Sequence, residues 1–291
     1  MINMKAYFLK EAFKILARRK LIRLVWSLLT LGKSMYIDSH AHLTDESVKD
    51  HLEEMLVRAQ EKGVEKVVNI CTGQASLEEG LILAKKYPWI YNAAATTPHD
   101  VEKEGESFFP IVRRCAQEKK LIAIGETGLD YHYEHSNREV QKKFLLKYFE
   151  LAQEVGLPLI FHCREAFADL FEMADMCYKN CPAVLHCFTG TIEEAQGCLD
   201  RGWLISFSGI VSFKKSEKLR EVAAYVPLDK MLIETDTPYL APQSCRGKTN
   251  EPSYILETAQ VLAQIKNIST SELGKQTFMN ASQFFSFPKG V

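Results

Sequence analysis

A single-domain (β/α)8 barrel is the fold class that this 291-residue sequence predicts, and three observations carry it. After Met35, short apolar runs alternate with helical stretches eight times. Ionisable residues directly follow the first, fourth, fifth, sixth and eighth of those runs. No Gly-x-Gly-x-x-Gly or Walker pattern follows the first run, as an open doubly wound sheet with a phosphate loop would show. Only a closed ring brings five such strand ends to one point, the C-terminal face where barrel active sites lie.

Taken in order, the predicted strands are Tyr36–His40, Lys66–Cys71, Ile90–Thr96, Leu121–Glu126, Leu159–His162, Ala183–Cys187, Trp203–Ser208 and Met231–Asp236. Each is a short apolar run of the kind buried on both faces of a parallel sheet. The intervening segments place apolar residues at helical spacing, as Val140, Phe144, Leu145, Tyr148, Phe149 and Ala152 do. Pro252–Lys266 reads as the eighth barrel helix and Ser271–Phe285 as an extra C-terminal helix.

Composition fits a globular enzyme: 46% hydrophobic and 25% charged, enough for a sizeable core and unlike disordered or collagen-like chains. The eight cysteines are scattered, with no Cys-x-x-Cys, so a reduced, cytoplasmic protein is expected. A net charge of −1 excludes a general duplex-coating protein, which needs a basic face to displace counterions. The average hides an asymmetry. Residues 1–34 hold Lys5, Lys10, Lys14, Arg18, Arg19, Lys20, Arg23 and Lys33 against Glu11, so the chain from Met35 onward is acidic.

Lys5 to Leu31 reads as helical, and its apolar tail is too short to span a bilayer. A basic amphipathic membrane-surface helix and a weak secretory signal both fit residues 1–34. The simpler expectation is that translation starts at Met35, leaving 35–291 as the catalytic domain.

His40-Ala41-His42 is the feature that points to chemistry. At the end of a strand, the period of two aims both imidazoles at one point. Glu126, His162, His186 and Asp236 stand at four further strand ends, completing a nitrogen and oxygen donor set suited to Mg2+, Mn2+ or Zn2+ with no thiolate required. Singly, each fits a core, capping or backbone-bonded residue equally well; together they point to a metal centre. The six are enough for two divalent metal ions, with Glu126 the natural bridge, and two ions can activate water and stabilise a leaving oxygen.

Asp236 is the expected general base. Glu234, two residues earlier in the expected strand, points the same way and deeper, as an orienter of the ligands, an auxiliary base or a buried structural carboxylate. Arg164 follows His162 at the same spacing. Arg246 and Lys248 lie in the loop after strand eight, where they are either phosphate clamps or solvated loop charges. His99 and His132, after strands three and four, are candidate substrate contacts, with a surface role the simpler one for His132.

The sequence resembles the TatD family of metal-dependent hydrolases from Met35 to about Phe285. The resemblance rests on Ile37-Asp38-Ser39-His40-Ala41-His42-Leu43, Ile124-Gly125-Glu126-Thr127-Gly128-Leu129-Asp130 and Phe161-His162-Cys163-Arg164-Glu165-Ala166. It rests equally on His186-Cys187-Phe188-Thr189-Gly190, Leu232-Ile233-Glu234-Thr235-Asp236-Thr237-Pro238-Tyr239-Leu240 and Gly247-Lys248-Thr249-Asn250-Glu251-Pro252. It implies a TIM barrel with a binuclear metal centre and phosphodiester hydrolysis from DNA 3′ ends. By the same resemblance His40, His42, Glu126 and Asp236 hold one ion, and Glu126, His162 and His186 the other.

Some members of the family are associated instead with removing D-amino acids from tRNA. Two positions depart from the family pattern: Thr97 stands where a histidine is usual, and Thr249 where arginine is frequent. Each removes a possible contact to phosphate, and neither is an expected metal ligand. Three functions follow in order: a deoxyribonuclease acting on DNA ends or single strands, an aminoacyl-tRNA deacylase, and a non-catalytic barrel that binds metal and nucleic acid. The acidic core suits recognition of an end better than tracking of a duplex. Glu126, where related amidohydrolases often carry a carbamylated lysine, weighs against cyclic amide substrates.

Overall fold

The computed structural model of the protein describes residues 35–288. The expected basic extension, residues 1–34, and the proposed start at Met35 lie outside what those residues address. Eight parallel strands follow one another round the sheet in sequence order: β1 (Tyr36–Ala41), β2 (Val64–Cys71), β3 (Ile90–Ala94), β4 (Ala123–Asp130), β5 (Leu159–Arg164), β6 (Ala183–Leu185), β7 (Leu204–Phe207) and β8 (Met231–Ile233). The helices packed outside are α1 (Leu52–Glu61), α2 (Gln74–Lys86), α3 (Val101–Gln117), α4 (Arg138–Val155), α5 (Phe167–Cys177), α6 (Ile192–Asp200), α7 (Glu217–Tyr225) and α8 (Ile255–Lys266), with α9 (Thr270–Phe285) as the extra C-terminal helix.

β1 and β8 close the ring through backbone bonds at its upper rim. Asp236 N–H donates to His40 O at 2.9 Å and His42 N–H to Thr237 O at 2.6 Å. Beneath them the fully buried Asp38 accepts the Thr235 N–H at 2.9 Å and the Thr235 hydroxyl at 2.6 Å. A buried carboxylate is tolerable only when so satisfied. Even so, burial outweighs those bonds and pushes its carboxyl up to about 7.

The interior is filled by one layer of aliphatic side chains drawn from every strand, including Ile37, Val68, Ala93, Ala123, Ile160, Val184, Leu204 and Leu232. Alternation along each strand turns these inward and sends their neighbours to the larger core under the helices. α9 stoppers the N-terminal end. Its Ala281 and Phe285 join the interior layer, and Asn280 Nδ2 donates to the carbonyls of Leu228 and Met231 at 2.8 Å each. Burying Phe285 contributes about 1.5–3 kcal/mol towards holding this helix on the barrel. Ser269 and Glu272 form its N-terminal capping box.

Most strand ends shift from the sequence reading, and the shifts of β4, β6 and β8 bear on the site. β4 runs four residues past Glu126, because Gly125 and Gly128 let it lie against β5. A Cβ at Gly128 would stand 1.9 Å from the His162 carbonyl oxygen, so only glycine fits that approach. β6 and β8 end early, at Leu185 and Ile233, and leave His186, Glu234 and Asp236 on loops.

Candidate metal centre

His40 lies within β1 and His42 one residue past its end, with their Nε2 atoms 3.2 Å apart. The period of two therefore aims them as expected. From β4 opposite, Glu126 reaches both halves of the site. Its Oε1 lies 2.9 Å from His162 Nδ1 and 2.9 Å from His186 Nε2. Its Oε2 lies 3.5 Å from His40 Nε2 and 3.8 Å from His42 Nε2. Asp236 completes the first half, its Oδ1 3.5 Å from both His40 Nε2 and His42 Nε2.

Asp236 holds that place with φ at +61°, a conformation that costs a non-glycine residue free energy and must be imposed by its surroundings. Asn250 imposes it. Its Nδ2 donates to the carbonyls of Thr235 at 2.7 Å and Tyr239 at 2.6 Å, and its own N–H donates to Pro238 O at 3.0 Å. Next to it the buried Glu251 takes a forked pair from Arg58 of α1, Nε to Oε1 at 3.0 Å and a terminal nitrogen to Oε2 at 2.6 Å. The Asn-Glu-Pro loop thus fastens the Asp236 loop to the barrel wall.

The electrostatics suit cations. Burial drives His40 down to about 4, with His186 stacked on it at 3.8 Å adding to the fall against the pull of Glu126 and Asp236. At neutral pH His40 is an uncharged imidazole with a lone pair to give. Burial pushes Glu126 the other way, but His186, His162 and His40 together hold its carboxyl well below the usual range. His40 Nε2 faces His42, Glu126 and Asp236 at once, and one N–H can satisfy only one of them. A cation in the middle satisfies all. Donor atoms of His40, His42 and Glu126 lie within 4.8 Å of one another, as do those of Glu126, His162 and His186. Glu126 belongs to both groups.

A cavity of about 630 Å3 opens over this cluster and is walled by His42, Glu126, His162, His186 and Asp236, with His99, Arg164 and Thr97 beside them. His40 sits beneath, fully buried. Thr97 donates its hydroxyl to Asp100 at 3.1 Å. The remaining sequence candidates lie off this cavity. His132 pairs with Glu165 at 2.8 Å on the surface, Arg246 lies over the Phe213 ring at 4.3 Å, and Lys248 is exposed on the loop after β8.

Glu234 is not aligned with Asp236 as a continuous strand would require, because β8 has already ended. Its Oε1 accepts the Cys187 N–H at 2.7 Å and lies 3.4 Å from His186 Nδ1. It is fully buried behind His186, with no access to the cavity.

Sequence reasoning passed over Asp130. Its Oδ2 lies 2.8 Å from His162 Nε2 and 3.6 Å from His99 Nε2, while Oδ1 accepts the backbone N–H of His132 at 3.0 Å and Tyr133 at 2.8 Å. Burial raises its carboxyl, but the bonds from His162 and Tyr133 bring it down to about 2. The available signal was its place four residues after Glu126, on the same face of one extended strand. Asn250 gave no comparable signal, since a loop asparagine has no periodicity to read.

A family model described as TatD related DNase matches residues 37–286. The metal-dependent hydrolase YabD of Bacillus subtilis is 35% identical over 252 residues, covering 86% of this chain and 99% of that protein. The 3′-5′ ssDNA/RNA exonuclease TatD of Erwinia tasmaniensis is 32% identical over 256 residues, covering 86% of this chain and 99% of its own length. Among solved structures, the TatD homologue YjjV of Escherichia coli K12 superposes with a TM-score of 0.82 at 26% identity, covering 87% of this chain and 98% of that one.

Proposed function

The chain belongs to the TatD-related DNase family of metal-dependent hydrolases, and we propose that it removes nucleotides from the 3′ ends of single-stranded DNA. One observation carries this reading: the two oxygens of Glu126 face two different histidine pairs, as a carboxylate bridging two ions must. His40, His42 and Asp236 would then hold one divalent ion, Mg2+, Mn2+ or Zn2+, and His162 and His186 the other, with Glu126 shared. Bound there, such a pair supplies Lewis acidity, lowering the pKa of water and neutralising charge that develops on phosphate.

The chain's own groups do the rest. Asp236 turns Oδ1 to His40 and His42 and leaves Oδ2 free of hydrogen bonds among the described residues, placed to take a proton from the attacking water. Asp130 keeps the proton of His162 on Nε2, so that Nδ1 presents its lone pair to the site. Glu234 lies behind His186 with Oε1 3.4 Å from Nδ1, and its bond from the Cys187 N–H braces the loop that carries the ring. Arg164 and His99 line the cavity where a phosphate would lie.

The acidic composition of the barrel favours a strand end over a duplex as substrate. The name of the Erwinia relative supports a single-stranded nucleic acid as substrate. All eight cysteines are free, which supports a reducing, cytoplasmic setting. Among the described residues no helix is long and apolar enough to cross a membrane.

The test is an activity screen on metal-analysed protein, offering single-stranded DNA, RNA and D-aminoacyl-tRNA with each divalent ion. Release of mononucleotides from DNA 3′ ends is expected. Deacylation of the tRNA without DNA cleavage would replace this reading with ester hydrolysis at the same centre.

A further inference from the structure

The loop between β4 and α4 carries a group of rings that the metal centre does not use. Tyr133 is 52% exposed, so much of its ring faces solvent. It stacks against His135 at 5.4 Å with 27° between planes, and its ring centre is 5.8 Å from that of His99, which lines the cavity. Arg164, also of the cavity wall, places its Cζ 4.8 Å over the Tyr133 ring.

Charge singles out the same place. Two cations line the cavity, Lys49 and Arg164. Lys49 is neutralised by Glu46 at 2.6 Å and Glu79 at 2.9 Å. Arg164 has no carboxylate partner among the described residues. A guanidinium placed over an aromatic ring keeps its donors for an anion while its outer face remains able to stack.

The ring group is also tied to the metal centre through one side chain. Asp130 bonds His162 through Oδ2 and the backbone N–H of Tyr133 through Oδ1, so that the shelf and the candidate ligand share a support.

We propose that Tyr133, with His135 and Arg164 stacked on it, forms a subsite for an unpaired nucleobase beside the scissile phosphate, and that this subsite selects single-stranded ends. The inference rests on the nuclease reading above and deepens it. A base within a duplex has both faces covered by its neighbours and cannot lie on the shelf; an unpaired base can, and aromatic stacking accepts any of them. Arg164 at the same time meets the adjoining phosphate.

The experiment uses the full-length, metal-loaded protein and two single-stranded DNA oligonucleotides whose last two nucleotides at the 3′ end either carry bases or are abasic. Loss of stacking should raise the wild-type KM for the abasic strand by roughly 5- to 150-fold. In Tyr133→Ala the ratio between the two strands should fall towards one, while Tyr133→Phe, which keeps the ring, should retain it. A wild-type ratio near one, or an undiminished ratio in Tyr133→Ala, overturns the subsite alone. Cleavage of neither strand by the wild type with any divalent ion overturns the nuclease reading and the subsite together.

Discussion

Asp130 Oδ2 and His162 Nε2 are 2.8 Å apart, and this contact decides which way round the histidine works. The carboxyl of Asp130 is held down to about 2, so near neutral pH it is ionised and can only accept. With the proton kept on Nε2, Nδ1 would give its lone pair to a cation held between it and Glu126 Oε1, which lies 2.9 Å away. This part-buried pair is thus a means of fixing a tautomer.

Replacing that carboxylate tests the point. In Asp130→Asn the amide can donate as well as accept, and the tautomer is no longer fixed. Metal affinity measured by calorimetric titration should fall by about 10- to 100-fold, with the circular dichroism spectrum unchanged. Unaltered affinity would leave Asp130 as a loop anchor and nothing more.

Glu126→Gln removes the shared carboxylate and keeps the size of the side chain. Metal analysis should show two ions per chain in the wild type and fewer in the variant, and hydrolysis should be lost. Two ions retained by the variant would contradict a bridging role for Glu126.

Asp236→Ala takes away both a candidate ligand and the candidate base. Turnover on single-stranded DNA should drop by at least a hundred- to ten-thousand-fold, the usual contribution of a general base. Normal turnover in this variant would remove Asp236 from the mechanism.

Glu251 and Arg58 make a prediction about stability rather than activity. Burial raises the Glu251 carboxyl, but Arg58 and Ser253 outweigh it and hold it below the ordinary range. A pKa depressed in the folded state stabilises the fold above the unfolded value, about 4.3, and that stabilisation is lost as the pH falls through the folded value. Glu251→Gln should therefore unfold more readily in urea at pH 7, by about 1–3 kcal/mol, and the gap to wild type should close in acid. A gap that stays constant down to acid pH would show that the forked pair with Arg58 is not its source.

Sequence periodicity alone determined the fold class and picked out most residues of the candidate site. Eight apolar runs separated by helical spacing admit few arrangements, and burial on both faces makes such runs conspicuous in composition. The His40 and His42 pair was legible for the same reason: within an extended strand, two residues apart means one side. Arg164 and His162 on β5 obeyed the same rule and both line the cavity.

Only the tertiary structure decided what depends on where strands stop. Glu234 and Asp236 share a spacing with His40 and His42, yet β8 ends at Ile233, and one carboxylate turns behind His186 while the other is bent into the cavity by Asn250. The role of Asp130 and the exposed face of Tyr133 were hidden for a related reason. Asp130 meets His162, and Arg164 comes over Tyr133, between segments distant in sequence, and such contacts come into being when the barrel closes, leaving no period in the chain that forms them.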